Sequence, residues 1–207
     1  MKNEYTYTNN DISNDDYKWI KDECKYMAID TETTGLDSIN DELCLIQIGA
    51  NGRYFLIKYF KENNYKNIKK LLEDNEIIKV FHNAIFDVRF IMNNFDNIQI
   101  RNIVCTKISA KLINGIDKKS SLKDLLLENF NIKIDKKQQL SDWSKSELSL
   151  EQLEYATNDV KYLVRLWRKL ELQLESKCIL EYAMRCFEFI PIQAYLNRQG
   201  INNIFDY

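Results

Sequence analysis

The sequence predicts an α/β fold built on a mixed sheet of five to six strands, with helices on both faces. Three observations carry that expectation. Three apolar, strand-like runs lie close together near the start, and Asn51-Gly52 between the second and third is a strong two-residue hairpin signal. Helical and strand-like patterns then alternate, as a layered α/β arrangement requires. The 207 residues, 45% apolar and 29% charged, suffice for one core and contain no linker, internal repeat or low-complexity stretch. One domain over residues 1–207 is expected.

In order, residues 1–13 read either as a frayed end or as an extra edge strand, because EYTYT alternates. Residues 14–23 follow Ser13, a good N-cap, and read as a short helix. YMAID, LCLIQIGA (43–50) and RYFLIKY (53–59) are the three strands. Tyr65–Asp74 carries Ile68, Leu71 and Leu72 at helical spacing. IIKVFH (77–82) is a fourth strand, and Asn83–Asn94 a helix with Phe86, Phe90 and Ile91 turned inward. IQIRNIVCT (98–106) reads as mostly extended, and helices are expected over 106–113 and 121–130, the latter opened by a Ser121/Asp124 capping box. A polar loop from Asn131 to Ser149 holds Trp143, expected to pin the loop rather than to stack on a base. Ser149 and Gln152 form a second capping box. The helix they open carries Leu150, Leu153, Val160, Leu163, Leu166 and Leu170, and either runs to the late 180s or breaks near Lys177-Cys178. Pro191 ends or kinks the tail, and Gly200 is a C-cap candidate.

Bulk properties exclude several classes. No apolar run approaches the ~18 residues of a membrane span. The N-terminus is polar and acidic, unlike a secretory signal. Five irregularly spaced cysteines without a Cys-x-x-Cys pair point to neither zinc nor a disulfide framework, so a reduced cytoplasm is the expected setting. Net charge is −2, without the broad basic surface of a protein that tracks long nucleic acid. Residues 107–137 are locally basic, eight lysines against four acids, which fits either a solvated face or an anion site.

The chemistry concentrates in MAIDTETTGL (27–36). Asp30 and Glu32 stand two apart on a strand and share a face. Two such carboxylates repel unless a cation lies between them, and oxygen ligands favour Mg²⁺ or Mn²⁺. Asp87 sits about one turn into the helix after VFHN, and Tyr155 and Asp159 are four apart on another helix. Each is weak evidence alone. Together, four carboxylates arriving from successive elements can hold two metal ions ~4 Å apart for displacement at phosphorus.

On these motifs, within stretches 28–36, 81–91 and 155–159, the chain resembles the DEDD superfamily of 3′→5′ exonucleases on the ribonuclease H-like fold. Tyr155 in the last motif places it in the DEDDy branch. KKQQLSDWSKSELSLEQLEYATNDVKYL is similar to ribonuclease D around its final motif. VCTKISAKL, KKQQLSDW and CFEFIPIQAYLNRQG look like the short NrnC diribonuclease (nanoRNase C) family. The chain's end near residue 207 fits a form without the C-terminal helical RNA-binding domains of full-length ribonuclease D.

The resemblance implies a metal-dependent 3′→5′ exoribonuclease acting on very short RNA, chiefly 5′-phosphorylated diribonucleotides. Longer RNA trimmed in the manner of ribonuclease D, or DNA, are the alternatives, and a non-catalytic nucleic-acid-binding protein is the least favoured. It implies two divalent ions, Mg²⁺ or Mn²⁺, on Asp30, Glu32, Asp87 and Asp159. Asp30 bridges both, Glu32 and Asp159 serve the ion that activates water, and Tyr155 orients that water. Leu36 matches the position of an apolar wedge between the two bases. Lys107, Gln139 and Ser141 are the expected 5′-phosphate grip, with His82 also on the substrate side. Family members form ring-shaped homo-oligomers, notably octamers. The helical tail, about 178–207, is a reasonable interface through Phe187, Phe189, Ile190, Ile192, Tyr195 and Leu196.

Overall fold

The computed structural model describes residues 4–202 and 204–205. Expectations touching residues 1–3, 203 and 206–207 lie outside these. Among the described residues six strands form one sheet: β1 (Tyr5–Thr8), β2 (Tyr26–Thr33), β3 (Leu43–Ala50), β4 (Arg53–Lys58), β5 (Ile78–Phe81) and β6 (Ile103–Cys105). Their order is β1-β4-β3-β2-β5-β6. β2, β3 and β4 run as an antiparallel meander, while β1 pairs parallel to β4 and β5 and β6 continue parallel beyond β2. The alternating EYTYT segment is therefore an edge strand. Asn51 and Gly52 both take positive φ, as the tight turn of a two-residue hairpin demands.

Helices α1 (Asn14–Glu23), α2 (Lys66–Glu73), α3 (Ala84–Asn94), α4 (Thr106–Asn114) and α5 (Leu122–Phe130) fall where their periodicity puts them. Ser13 caps α1 by accepting from Asp16 N. At α5, Ser121 accepts from Asp124 N, but its hydroxyl also donates to the Asp124 carboxylate, so only half of the reciprocal box forms. The stretch 98–106 joins the sheet as a strand only over Ile103–Cys105, and Asn102 just before it adopts left-handed backbone. One reading needs correction. Phe86 is not sealed inside: it packs on Phe90, ring centroids 5.0 Å apart, and borders an open cleft.

The long C-terminal helix is in fact four: α6 (Leu150–Lys161), α7 (Leu163–Ser176), α8 (Leu180–Glu188) and α9 (Ile190–Arg198). The break near Cys178 was anticipated, and that residue takes φ 56°. The break at Tyr162 was not. It lets α6 cross β2, β3 and β4 while α7 turns toward α4 and β5. Leu150, expected inside, is exposed at the start of α6. Pro191 opens α9 rather than ending the tail, and Gly200 (φ 80°) follows α9's C-cap. Of the apolar tail residues, Phe187 and Ile190 are consumed by the chain's own core, whereas Ile192 and Tyr195 are exposed.

The sheet buries both faces. Ile29, Ile46, Ile48 and Ile57 join the larger core with Ile68, Leu71, Phe90 and Ile91. Leu45 and Leu56 meet Leu153, Ala156 and Trp143 beneath α6. Trp143 is 2% exposed and Lys58 Nζ donates to its carbonyl at 2.6 Å, so Trp143 pins the 131–149 loop as expected. Close approach of α6 depends on Gly49, where a Cβ would stand 3.1 Å from Val160 O and 3.3 Å from Val160 Cβ.

Candidate active site

β2 delivers Asp30 and Glu32 to one face, and a register shift against β3 follows immediately between Glu32 and Thr33. Across the ladder Asp30 faces Gln47. The capping box at Ser149 and Gln152 fixes the start of α6, whose inner side presents Tyr155 and then Asp159. Asp30, Glu32 and Asp159 each offer an oxygen within 4.8 Å of the other two. Asp87 enters from α3, and its Oδ1 accepts the Thr31 hydroxyl at 2.7 Å.

Electrostatics mark this cluster as unstable when left to itself. Burial, then Asp87, Asp159 and Glu32, hold the Asp30 carboxyl well above its usual range. Burial, then Asp159 and Asp87, do the same to Glu32. Burial pushes Asp87 and Asp159 up to about 7. Burial and the surrounding carboxylates also push the Tyr155 phenol up, so its hydroxyl stays protonated and bonds to Asp159. Repelling buried carboxylates that converge on one point, with oxygen donors only, are the ligand chemistry of a hard divalent cation.

The cluster lies in a cleft of about 590 Å³ that also collects Leu36, His82, Lys107, Gln139 and Ser141. Leu36 is 79% exposed, at the tip of a tightly bonded turn. Thr33 Oγ1 donates to Gly35 O, Asp37 N to Asp41 Oδ2 and Asn93 Nδ2 to Ser38 O. His82 Nδ1 lies 2.9 Å from Thr106 Oγ1, which itself donates to Phe81 O. Burial, Lys107 and Lys136 hold His82 down to about 3, so the ring is neutral. Lys107 Nζ donates to Asn83 Oδ1 at 3.4 Å. Ser141 Oγ accepts from Gln152 Nε2, which also donates to Asp142 O and thereby ties the loop to α6.

Sequence reasoning overlooked some of the cleft. Lys136, within the expected Lys/Gln/Ser stretch but not singled out there, favours the charged forms of Asp30 and Asp159. It is the cation of that loop that faces the carboxylates. Asn83, in left-handed backbone ahead of α3, and Phe86 also line the cleft. Asn83 was legible in outline, since an Asn at a strand-to-helix turn is a common left-handed residue.

A sheet of this topology, with these carboxylates and a tyrosine on a neighbouring helix, is that of a hydrolytic 3′-5′ exonuclease. The chain belongs to the 3′-5′ exonuclease family, whose model matches residues 8–175. Among curated proteins it is 30% identical over 159 residues to ribonuclease D of Haemophilus influenzae, covering 77% of this chain and 39% of that enzyme. It is 31% identical over 153 residues to human exosome complex component 10, covering 73% of this chain. The chain thus spans 39% of the first relative and 17% of the second. Among solved structures, Brucella melitensis NrnC with bound Mg²⁺ superposes with a TM-score of 0.89 at 33% identity, covering 98% of both chains. The same protein bound to pGG gives 0.89 at 34%, again over 98% of both. Escherichia coli RNase D shares the fold, with a TM-score of 0.80 over 92% of this chain and 50% of that one. The family is divalent-metal dependent, and the acidic trio here fits such an ion. Among the described residues no helix is long and apolar enough to cross a membrane.

Proposed function

We propose that the protein is a two-metal 3′→5′ exoribonuclease that hydrolyses very short RNA, chiefly 5′-phosphorylated diribonucleotides, to 5′-mononucleotides. The observation that carries this reading is the cleft itself. Its volume of about 590 Å³ lies in the range of small-ligand sites, and an exposed leucine and a Lys/Gln/Ser loop flank the acidic cluster. The likeness to NrnC bound to pGG over 98% of both chains supports it.

Asp30, Glu32 and Asp159 would hold one divalent ion, and Asp30 with Asp87 a second, Mg²⁺ or Mn²⁺. Bound there, such ions supply the positive charge that activates water and offsets charge building up on phosphorus and the leaving 3′ oxygen. Tyr155, protonated and bonded to Asp159, orients the attacking water rather than deprotonating it. Lys136 attracts the substrate phosphate toward the carboxylates. Lys107, Gln139 and Ser141 grip the 5′ phosphate by charge and hydrogen bonding, and Leu36 separates the bases. Neutral His82, anchored through Thr106, faces the nucleotide. Exposed Tyr182, Ile192 and Tyr195 on α8 and α9 offer an apolar face for self-association into a ring, for which an octamer is the expected size.

The test is hydrolysis of 5′-labelled RNAs of two, three, five and twenty nucleotides and a DNA duplex, with Mn²⁺ or Mg²⁺ and Asp30→Ala as control. Preference for the dinucleotide, lost with its 5′ phosphate, is expected. Equal rates on the 2-mer and 20-mer would remove the dinucleotide specialisation.

A further inference from the structure

We propose that Gln47 is a positioning residue: its side-chain amide holds the Glu32 carboxylate in the orientation that a divalent cation requires. The inference rests on the metal-dependent reading of the acidic cluster. Gln47 is 0% exposed in the middle of β3, a strand whose residues are all buried. Its neighbours Ile46 and Ile48 are the residues expected at such positions.

An uncharged amide buried there must be satisfied or it destabilises the fold. Only half of it is. Nε2 donates to Glu32 Oε1 at 3.4 Å, while Oε1 is buried with no hydrogen-bond partner among the described residues. Stability alone would favour an apolar side chain of similar length. Among the described residues the one hydrogen bond of the amide is to a carboxylate of the acidic trio.

Register explains why that contact is specific. Gln47 pairs with Asp30 across the antiparallel ladder, so its side chain leaves the sheet on the face that carries Asp30 and Glu32. Glu32 lines the cleft, whereas Gln47 is not among the residues that line it. A fixed N–H on one oxygen selects a single carboxylate rotamer and leaves the other oxygen for the cation. It also shares the negative charge without competing as a ligand. Partners of this kind, outside the ligand set itself, commonly change metal affinity 10- to 100-fold when removed.

The experiment compares Mn²⁺ binding by calorimetry, and thermal stability in chelator, for the unmutated protein, Gln47→Met and Gln47→Asn. Gln47→Met is expected to weaken Mn²⁺ binding at least 10-fold while its metal-free Tm is unchanged or higher. Its kcat at saturating Mn²⁺ should stay near that of the unmutated protein, with the loss appearing in the Mn²⁺ concentration needed. Gln47→Asn, too short to reach Glu32, should weaken binding similarly and lower Tm. A Gln47→Met protein with unchanged Mn²⁺ affinity would overturn the proposal, as would a fall in metal-free Tm large enough to mark the residue as purely structural. Absence of Mn²⁺ binding by the unmutated protein would instead overturn the metal-dependent reading beneath it.

Discussion

Replacing Gly35 with alanine tests how the Leu36 turn is held. An added Cβ would stand 2.3 Å from Asp41 Oδ2 and 2.6 Å from its Cγ, so the carboxylate must swing away. Doing so breaks the bond from Asp37 N to Asp41 Oδ2, 2.8 Å in the intact turn. A hydrogen bond to a charged group contributes about 1.5–3 kcal/mol, and the half-exposed position places it at the lower end, near 1.5 kcal/mol. For a chain of this size that corresponds to a fall in Tm of about 3–6 °C. Leu36 would lose its fixed placement as well. Burying a leucine side chain stabilises a contact by about 1.5–3 kcal/mol, so losing half of it should lower kcat/KM on a 5′-phosphorylated dinucleotide about tenfold. The decisive assay is a double-mutant cycle with Asp41→Ala. In that background the three atoms nearest the new methyl are gone, and it should add little further loss of Tm or kcat/KM. Fully additive losses would refute the claim that the Gly35–Asp41 contact sets the turn.

Three more outcomes are expected. Asp87 and Asp159 are raised from 3.8 to about 7, so the folded chain binds more protons than the unfolded one between those values, and metal-free stability falls as pH rises through that window. Between pH 5 and pH 8 about two pK units of one such shift are lost, about 3 kcal/mol, or about 6–12 °C in Tm by calorimetry, and saturating Mn²⁺ should abolish the drop. Leu36→Ala should cut dinucleotide kcat/KM about 10- to 30-fold with Tm unchanged, because the side chain is 79% exposed; an altered Tm would show that it packs within the fold. Gln152→Ala removes the ties to Ser141, Asp142 and Ser149 and should destabilise by about 2 kcal/mol, raising dinucleotide KM more than it lowers kcat.

Strands β2 to β5 and helices α1 to α5 were legible because apolar period and punctuation agreed: Asn51-Gly52, Ser13 and Ser121 each mark a boundary the backbone obeys. The break at Tyr162 was not legible, since no Gly or Pro marks it and the leucine repeat runs straight through. It exists because α6 and α7 must cover different neighbours, a tertiary demand. Asp30, Glu32, Asp87, Tyr155 and Asp159 were readable as a motif, and the structure brings them to one cleft. The orientation of Lys136 and the contact of Gln47 were not, because both depend on how distant segments cross rather than on local spacing.

Gly49 carries a consequence for how the cluster is dimensioned. Asp159 is adjacent to Val160 in the chain, and Gly49 faces Ala28, two residues before Asp30. The bare backbone at Gly49 therefore acts as a spacer of zero thickness between the two walls that carry opposing carboxylates. The gap between them is set by helix-to-sheet contact on the far side of the ligands, much as a gasket sets the clearance between two plates. A methyl group there would widen the jaws without touching a single acidic residue, so the calibration of this site resides in a position with no side chain.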